Sequence, residues 1–227
     1  MSGQKQLNIL GSVATLMNVL CELAEDARGF DSFRILQNIT VDVAEFFKPL
    51  PHWKVELLSD ASNWPTPGPE DVYALSVVGT SSKKKVFDYF QEQLKLDPSQ
   101  FPNLVHPTSF IARSCELSHG LQMEQNSTIT SCTSVGFAVN IKRNCSIGHH
   151  CQLGDYVTIN PGVTMSGEVM VGAHTMIGSG AAIKEGITIG KNSIIGMGSV
   201  VVKDVPDNVI AFGNPCQVKK PNKPLAF

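Results

Sequence analysis

From Val105 to Val201 every sixth residue is aliphatic or methionine: Val105, Ile111, Leu117, Met123, Ile129, Val135 and onward without a break. The residue four after each is small, β-branched or leucine, and never charged: Ser109, Cys115, Leu121, Ser127, Thr133, Val139, Cys145, Cys151, and on to Val205. Members of the two columns lie two residues apart across the hexad boundary, so they share one face of a short strand. Both columns must point inward. Glycine recurs directly after the large column (Gly136, Gly148, Gly154, Gly172) and at the third position after it (Gly120, Gly162, Gly180, Gly186, Gly198). Glycine tolerates tight corners and positive φ. Each hexad therefore reads as a strand plus a corner, and a stack of such units buries one continuous core that no unit could bury alone. Cys115, Cys145 and Cys151 fall in the small inward column, where the expected role is packing.

Residues 1–104 have another texture. Strands are predicted at Leu7–Leu10, Arg34–Thr40, Lys54–Leu57 and Val72–Val78. Helices are expected after the first strand and over Ser82–Leu96. Alternation of strand and helix implies a short parallel sheet. Asn63-Trp-Pro-Thr-Pro-Gly-Pro69 is a loop rich in breakers, and Asp97-Pro-Ser-Gln-Phe-Pro102 is the expected joint. The predicted division is an α/β domain at 1–104 and a β-solenoid at 105–227.

Leu7 to Ala24 is apolar enough to resemble a leader peptide. It contains Asn8, Asn18 and Glu22, however, and Val13, Leu16, Met17, Leu20 and Leu23 share one helical face, so strand then helix is the expectation. With 18 basic and 20 acidic residues, a net charge of −2 offers no electrostatic attraction to nucleic acid or an anionic membrane. The six cysteines show no CxxC or other metal-ligand spacing. They are expected to be reduced, which implies a cytoplasmic location without a membrane span.

The repeat resembles the hexapeptide-repeat acyltransferases, whose coils are triangular, left-handed and eighteen residues long. Within them it looks most like bacterial sugar acetyltransferases that modify sialic acid or amino-sugar nucleotides. Four segments carry the resemblance: Val105-His-Pro-Thr-Ser109, Gly148-His-His-Cys-Gln-Leu-Gly-Asp-Tyr-Val-Thr-Ile159, Pro161-Gly-Val-Thr-Met-Ser-Gly167, and Gly196-Met-Gly-Ser through Gly213-Asn-Pro215. The resemblance implies a small Rossmann-like α/β domain followed by a left-handed parallel β-helix, a homotrimer, acetyl-CoA as acyl donor, no metal, and a sugar acceptor.

Acetyl transfer from a thioester needs a base for the acceptor's proton and a donor for the carbonyl oxygen. His149 sits two residues after inward Ile147, hence at a corner and pointing outward. By position alone it is a surface histidine. The resemblance makes it the general base, facing a neighbouring subunit. Eighteen-residue coils stack it between Ser131 and Gly167. Gly167 leaves space beside the imidazole for a thioester, and the resemblance gives its N–H the thioester oxygen. The family places an acidic residue directly after the base, but this chain has His150. Glu168, one coil beyond His150, is the expected substitute, acting directly or through His150. Thr158, Ser179 and Met197 match positions lining the coenzyme, and Lys203, Lys219 and Lys220 are candidates for its phosphates. In the α/β domain the family has a glycine-rich turn after the first strand. Here it reads Gly11-Ser-Val-Ala-Thr15, which leaves Gly11, Ser12 and Thr15 as acceptor contacts.

The leading expectation is an acetyl-CoA-dependent N- or O-acetyltransferase of an amino sugar or sugar nucleotide, transferring directly without an acyl-enzyme. A zinc hydratase of β-helix type would need convergent histidines, and His106, His119, His149, His150 and His174 supply no close pair five apart. A third class is a non-catalytic β-helix scaffold with a degenerate site.

Overall fold

The computed structural model describes residues 5–11, 13–39, 46–77 and 79–223. Its contacts divide the chain into two units, Met1–Val78 with Ser82–Leu104, and Gly79–Ser81 with Val105–Phe227.

The first unit contains β1 (Gln6–Leu10), α1 (Ala14–Arg28), β2 (Ser32–Leu36), β3 (Lys54–Leu58), β4 (Tyr73–Leu75) and α2 (Thr80–Leu94). The sheet order is β3-β2-β1-β4, with every pairing parallel. The apolar stretch from Leu7 folds as the expected strand and helix. Leu7 and Ile9 of β1 and Met17, Leu20, Cys21 and Ala24 of α1 are buried in one core. That helix stops at Gly29, whose φ of 72° lets its N–H donate to Glu25 O at 2.7 Å.

Some boundaries differ from expectation. The second strand runs Ser32–Leu36 rather than Arg34–Thr40. It pairs residue for residue with β1, and β1 ends at Leu10 because Gly11 turns with φ +88°; Thr40 lies outside the described residues. The last strand of the sheet covers only Tyr73–Leu75, and Val78 also lies outside the described residues. The following helix ends at Leu94, since Lys95 adopts φ 57° and donates its N–H to Gln91 O, which takes buried Leu96 out of the helix. At the expected joint, Asp97 and Gln100 cap a helical turn reciprocally.

The second unit is a parallel β-helix. Seventeen two-residue strands follow at six-residue steps, from β5 (Leu104–Val105) to β21 (Val200–Val201). Together with β22 (Val209–Phe212) and β23 (Gln217–Pro221), which close the largest, they form three sheets of eight, six and five strands. Partners stand eighteen residues apart, as in Ser146↔Thr164 and Ile147↔Met165. From Leu121 onward both predicted columns are buried. Leu117, in the first coil, remains 37% exposed, because only one neighbouring coil covers it. Polar members of the small column are buried but satisfied: Ser127 Oγ donates to Lys142 O at 2.8 Å and accepts from Cys145 N at 3.0 Å.

The two glycine sets answer to different constraints. The third position after each large residue is left-handed at every hexad from 120 to 198, whether occupied by Gly162 (φ 73°), Asn144 (φ 58°) or His150 (φ 55°). The position directly after the large residue does not have positive φ. There a side chain would strike the next coil: a Cβ on Gly148 would lie 2.6 Å from Gly167 N.

Candidate active site

His149 and His150 occupy the corner between β12 (Ser146–Ile147), in the six-stranded sheet, and β13 (Gln152–Leu153), in the five-stranded sheet. The corner is held from both neighbouring coils. Thr133 Oγ1, in the buried column one coil before, donates to Gly148 O at 2.9 Å and accepts from Cys151 N at 3.1 Å. It thus clamps the residue on each side of the histidine pair. His150 N donates to Ser131 O at 2.9 Å, and His149 O accepts from Glu168 N at 2.7 Å. Both imidazoles are exposed. The backbone beneath them is therefore fixed while the rings face outward.

Gly167 lies under the His149 ring. A Cβ built on Gly167 would stand 2.6 Å from His149 Nε2 and 2.9 Å from Nδ1. The space expected beside the imidazole for a thioester is thus filled by the imidazole itself, and the absent side chain is what lets the ring lie there. The Gly167 N–H donates no hydrogen bond among the described residues. At two equivalent corners the N–H is engaged by a carboxylate from the next coil, Phe137 N donating to Asp155 Oδ1 and Lys191 N to Asp207 Oδ1, both at 2.8 Å; at Ser131, Ala173 and Ser179 it donates no hydrogen bond among the described residues, as at Gly167. The His149 corner therefore pairs a solvent-facing imidazole with a backbone donor not used by the fold.

The anticipated carboxylate contact is not formed. Glu168 is exposed with φ 60°, stacked one coil beyond His150, and makes no ion pair or hydrogen bond with either imidazole. The group that engages His149 is His150, with Nδ1 to Nδ1 at 3.1 Å and the rings edge-on at 83°.

The remaining positions fall in three places. Lys203 follows His149 by three coils along the same edge and is exposed; at a strand spacing of ~4.8 Å the separation along the axis is about 14 Å. Ser179 and Met197 stack one coil apart on the next edge, across the six-stranded sheet, and Met197 is 79% exposed. Thr158 is buried in the eight-stranded sheet, off both edges. Lys219 and Lys220 lie on exposed β23, with Lys219 Nζ 5.5 Å from the Phe212 ring centroid. Buried Cys145 and Cys151 pack in the core, where burial pushes their thiols up from the usual range and away from nucleophilic chemistry.

In the α/β unit a cavity of about 320 Å³ opens at the carboxyl ends of β1, β2 and β4. Ligands of open α/β sheets bind at such a place, where neighbouring strands leave in opposite directions. Gly11, Val13, Asn38, Ser76, Ser82 and Lys85 are among its walls. Gly11 is needed there: its φ is +88°, and a Cβ would stand 3.2 Å from Ser76 O. Ser76 is buried, and its hydroxyl has no hydrogen-bond partner among the described residues. A buried hydroxyl in that state costs free energy until something pairs with it. Thr15 is exposed on α1 and does not line the cavity, and Ser12 lies outside the described residues. Sequence reasoning missed Asn38, Ser76, Ser82 and Lys85. Only the serines and lysines at the start of α2 carried a signal, as a polar helix N-terminus after a strand.

Among the described residues, no helix is long and apolar enough to cross a membrane. No group of three or more His, Cys, Asp or Glu is placed to hold a metal.

Residues 168–203 match the family model for the bacterial transferase hexapeptide (six repeats). No curated protein is similar to the chain in sequence. Several solved structures share its fold. A mutant perosamine N-acetyltransferase from Caulobacter crescentus, in complex with CoA and GDP-perosamine, superposes with a TM-score of 0.76 at 21% identity, over 96% of this chain and 98% of that one. WeeI from Acinetobacter baumannii AYE gives 0.78 at 22% identity, over 95% and 100% of the two chains. The acetyltransferase domain of PglB from Neisseria gonorrhoeae FA1090, in complex with acetyl coenzyme A, gives 0.70 at 22%, over 96% and 100%. At these identities the likeness is one of fold. The chain thus carries a hexapeptide-repeat segment at 168–203 and shares the fold of these solved structures.

Proposed function

We propose that the protein is an acetyl-CoA-dependent acetyltransferase of an amino sugar or sugar nucleotide, with His149 as general base. The observation that carries this reading is the His149 imidazole lying over Gly167, beside a backbone N–H that the fold leaves unused. Bound acetyl-CoA supplies an activated acyl group. His149 Nε2 takes the proton of the acceptor's attacking amine or hydroxyl. The Gly167 N–H holds the negative charge that develops on the carbonyl oxygen. Lys203, farther along the same edge, suits a coenzyme phosphate, at a spacing of the order of an extended pantetheine arm. Exposed Met197 and half-buried Ser179, on the next edge, suit cover by the coenzyme or by a neighbouring copy in a homotrimer. The cavity of the α/β unit is, by itself, a candidate place for a sugar acceptor to bind. Ser82 and Lys85, near the N-terminus of α2, suit an anionic group such as a sugar-nucleotide phosphate, and the Ser76 hydroxyl awaits a polar partner.

The test is thiol release from acetyl-CoA across a panel of amino sugars and sugar nucleotides. Release is expected only with a matching acceptor. His149→Ala should lower it roughly 10²- to 10⁴-fold without weakening coenzyme binding. Lys85→Ala should raise the acceptor KM about tenfold and leave the coenzyme KM unchanged, the loss of one charge-assisted contact. No release with any acceptor would reject the reading in favour of a non-catalytic scaffold.

A further inference from the structure

The His149–His150 pair has a feature that a histidine beside a carboxylate lacks: the second group can itself take a proton. His150 sits at the left-handed corner position, φ 55°, which Asn126, Asn144 and Gly162 share with Cys132, Tyr156 and His174 along the coils. Its ring lies edge-on to that of His149, at 83°. With Nδ1 and Nδ1 3.1 Å apart, one nitrogen must carry a hydrogen and the other must not. For His149 Nε2 to act as base it must be bare, so the His149 proton is on Nδ1 and His150 Nδ1 is the acceptor. The coil before presents Ser131 and Cys132 to the pair, and the coil after presents Gly167 and Glu168. None of these forms an ion pair with either ring.

Resting on the acetyltransferase reading above, we infer that His150 is the positioning residue of the base and its proton store. It fixes the His149 tautomer by accepting Nδ1–H. When His149 Nε2 takes the acceptor's proton, the Nδ1 proton crosses to His150 Nδ1, and the positive charge moves to the outer ring. The new bond joins the acceptor nitrogen or oxygen to the acetyl carbon, and the carbon–sulfur bond breaks. The leaving thiolate takes the proton from His149 Nε2, and His150 returns its proton to His149 Nδ1. The acceptor's proton thus ends on the coenzyme thiol, and the pair is restored. Two rings spread the charge that a carboxylate would neutralise.

Three variants at position 150 test this, each checked for an unchanged melting midpoint. His150→Ala should lower kcat about 10- to 100-fold with both KM values unchanged. His150→Asn suits the left-handed backbone and still accepts Nδ1–H, so it should recover orientation but only part of kcat. His150→Glu should restore kcat and move the acid limb of the pH–rate profile up by about one unit or more, because a carboxylate favours the protonated ring. Nitrogen-15 NMR of the wild type should show His149 protonated at Nδ1, and His150→Ala should release that tautomer. A His150→Ala enzyme with wild-type kcat, pH profile and His149 tautomer overturns the inference while His149→Ala still abolishes turnover. Loss of nothing in His149→Ala overturns the acetyltransferase reading itself.

Discussion

The β-helix and the α/β unit bury their backbones by different routes. In the β-helix each interior coil strand is two residues long and is bonded on both sides to strands eighteen residues away, so side chains at corresponding positions stack in register along every edge. In the α/β unit four strands close one small sheet, and two helices supply the rest of its core. The contrast locates the two candidate sites. A stacked coil is packed solid within, which leaves its outer faces and corners for chemistry. A parallel sheet leaves a crevice at the carboxyl ends of its strands, where the 320 Å³ cavity lies.

That contrast can be broken or sharpened by substitution. The largest effect should come from the core of the β-helix. Ile159→Ala, at a fully buried position with coils on both sides, should cost about 2–5 kcal/mol by denaturant unfolding. The loss should spread to neighbouring coils rather than to the α/β unit; hydrogen exchange that weakened both units equally would count against the division. Next in size is Gly167→Ala. Its backbone has no positive φ, so stability should hold, but the new methyl would displace the His149 ring. Turnover should fall about 10- to 100-fold, the scale of a 1 Å misplacement. Wild-type turnover would show that the ring's position over Gly167 is immaterial.

The smallest effect should be in the α/β unit. Glu25 Oε1 lies 2.7 Å from His52 Nε2, and Oε2 accepts from Trp53 Nε1 at 2.8 Å. The His52 bond first, then the Trp53 bond, holds its carboxyl below the usual range. A carboxyl depressed in the folded state adds stability that is full above its unfolded pKa of about 4.3 and is lost as pH falls through the folded value. Glu25→Gln should therefore lower the melting midpoint at pH 6–7, and the gap from wild type should close only as pH falls below about 4. A gap independent of pH would mean that the ionic form contributes nothing.

Legibility followed the same contrast. Ile147 and Cys151 belong to inward columns visible in the sequence, so the outward position of His149 between them was readable, as was the stacking of Gly167 beside it. The reach of side chains was not readable. Glu168 stacks beside His150 but bonds to neither ring, because sharing an edge sets the Cα position and not the rotamer. In the α/β unit Gly11 was readable as the turn after the first strand. Asn38, Ser76 and Lys85 were not, since they reach one cavity from three separated segments with no common period.

The six-residue repeat by itself determined the β-helix, its two buried columns and its corner positions, because the constraint is local and is repeated seventeen times. Only the tertiary structure decided that His149 lies on Gly167, that its partner is His150 rather than a carboxylate, and that an unpaired Ser76 hydroxyl faces a cavity at the sheet edge. Those outcomes rest on which polar atoms find partners once coils and strands are packed, and a pattern of apolar residues carries no record of that choice.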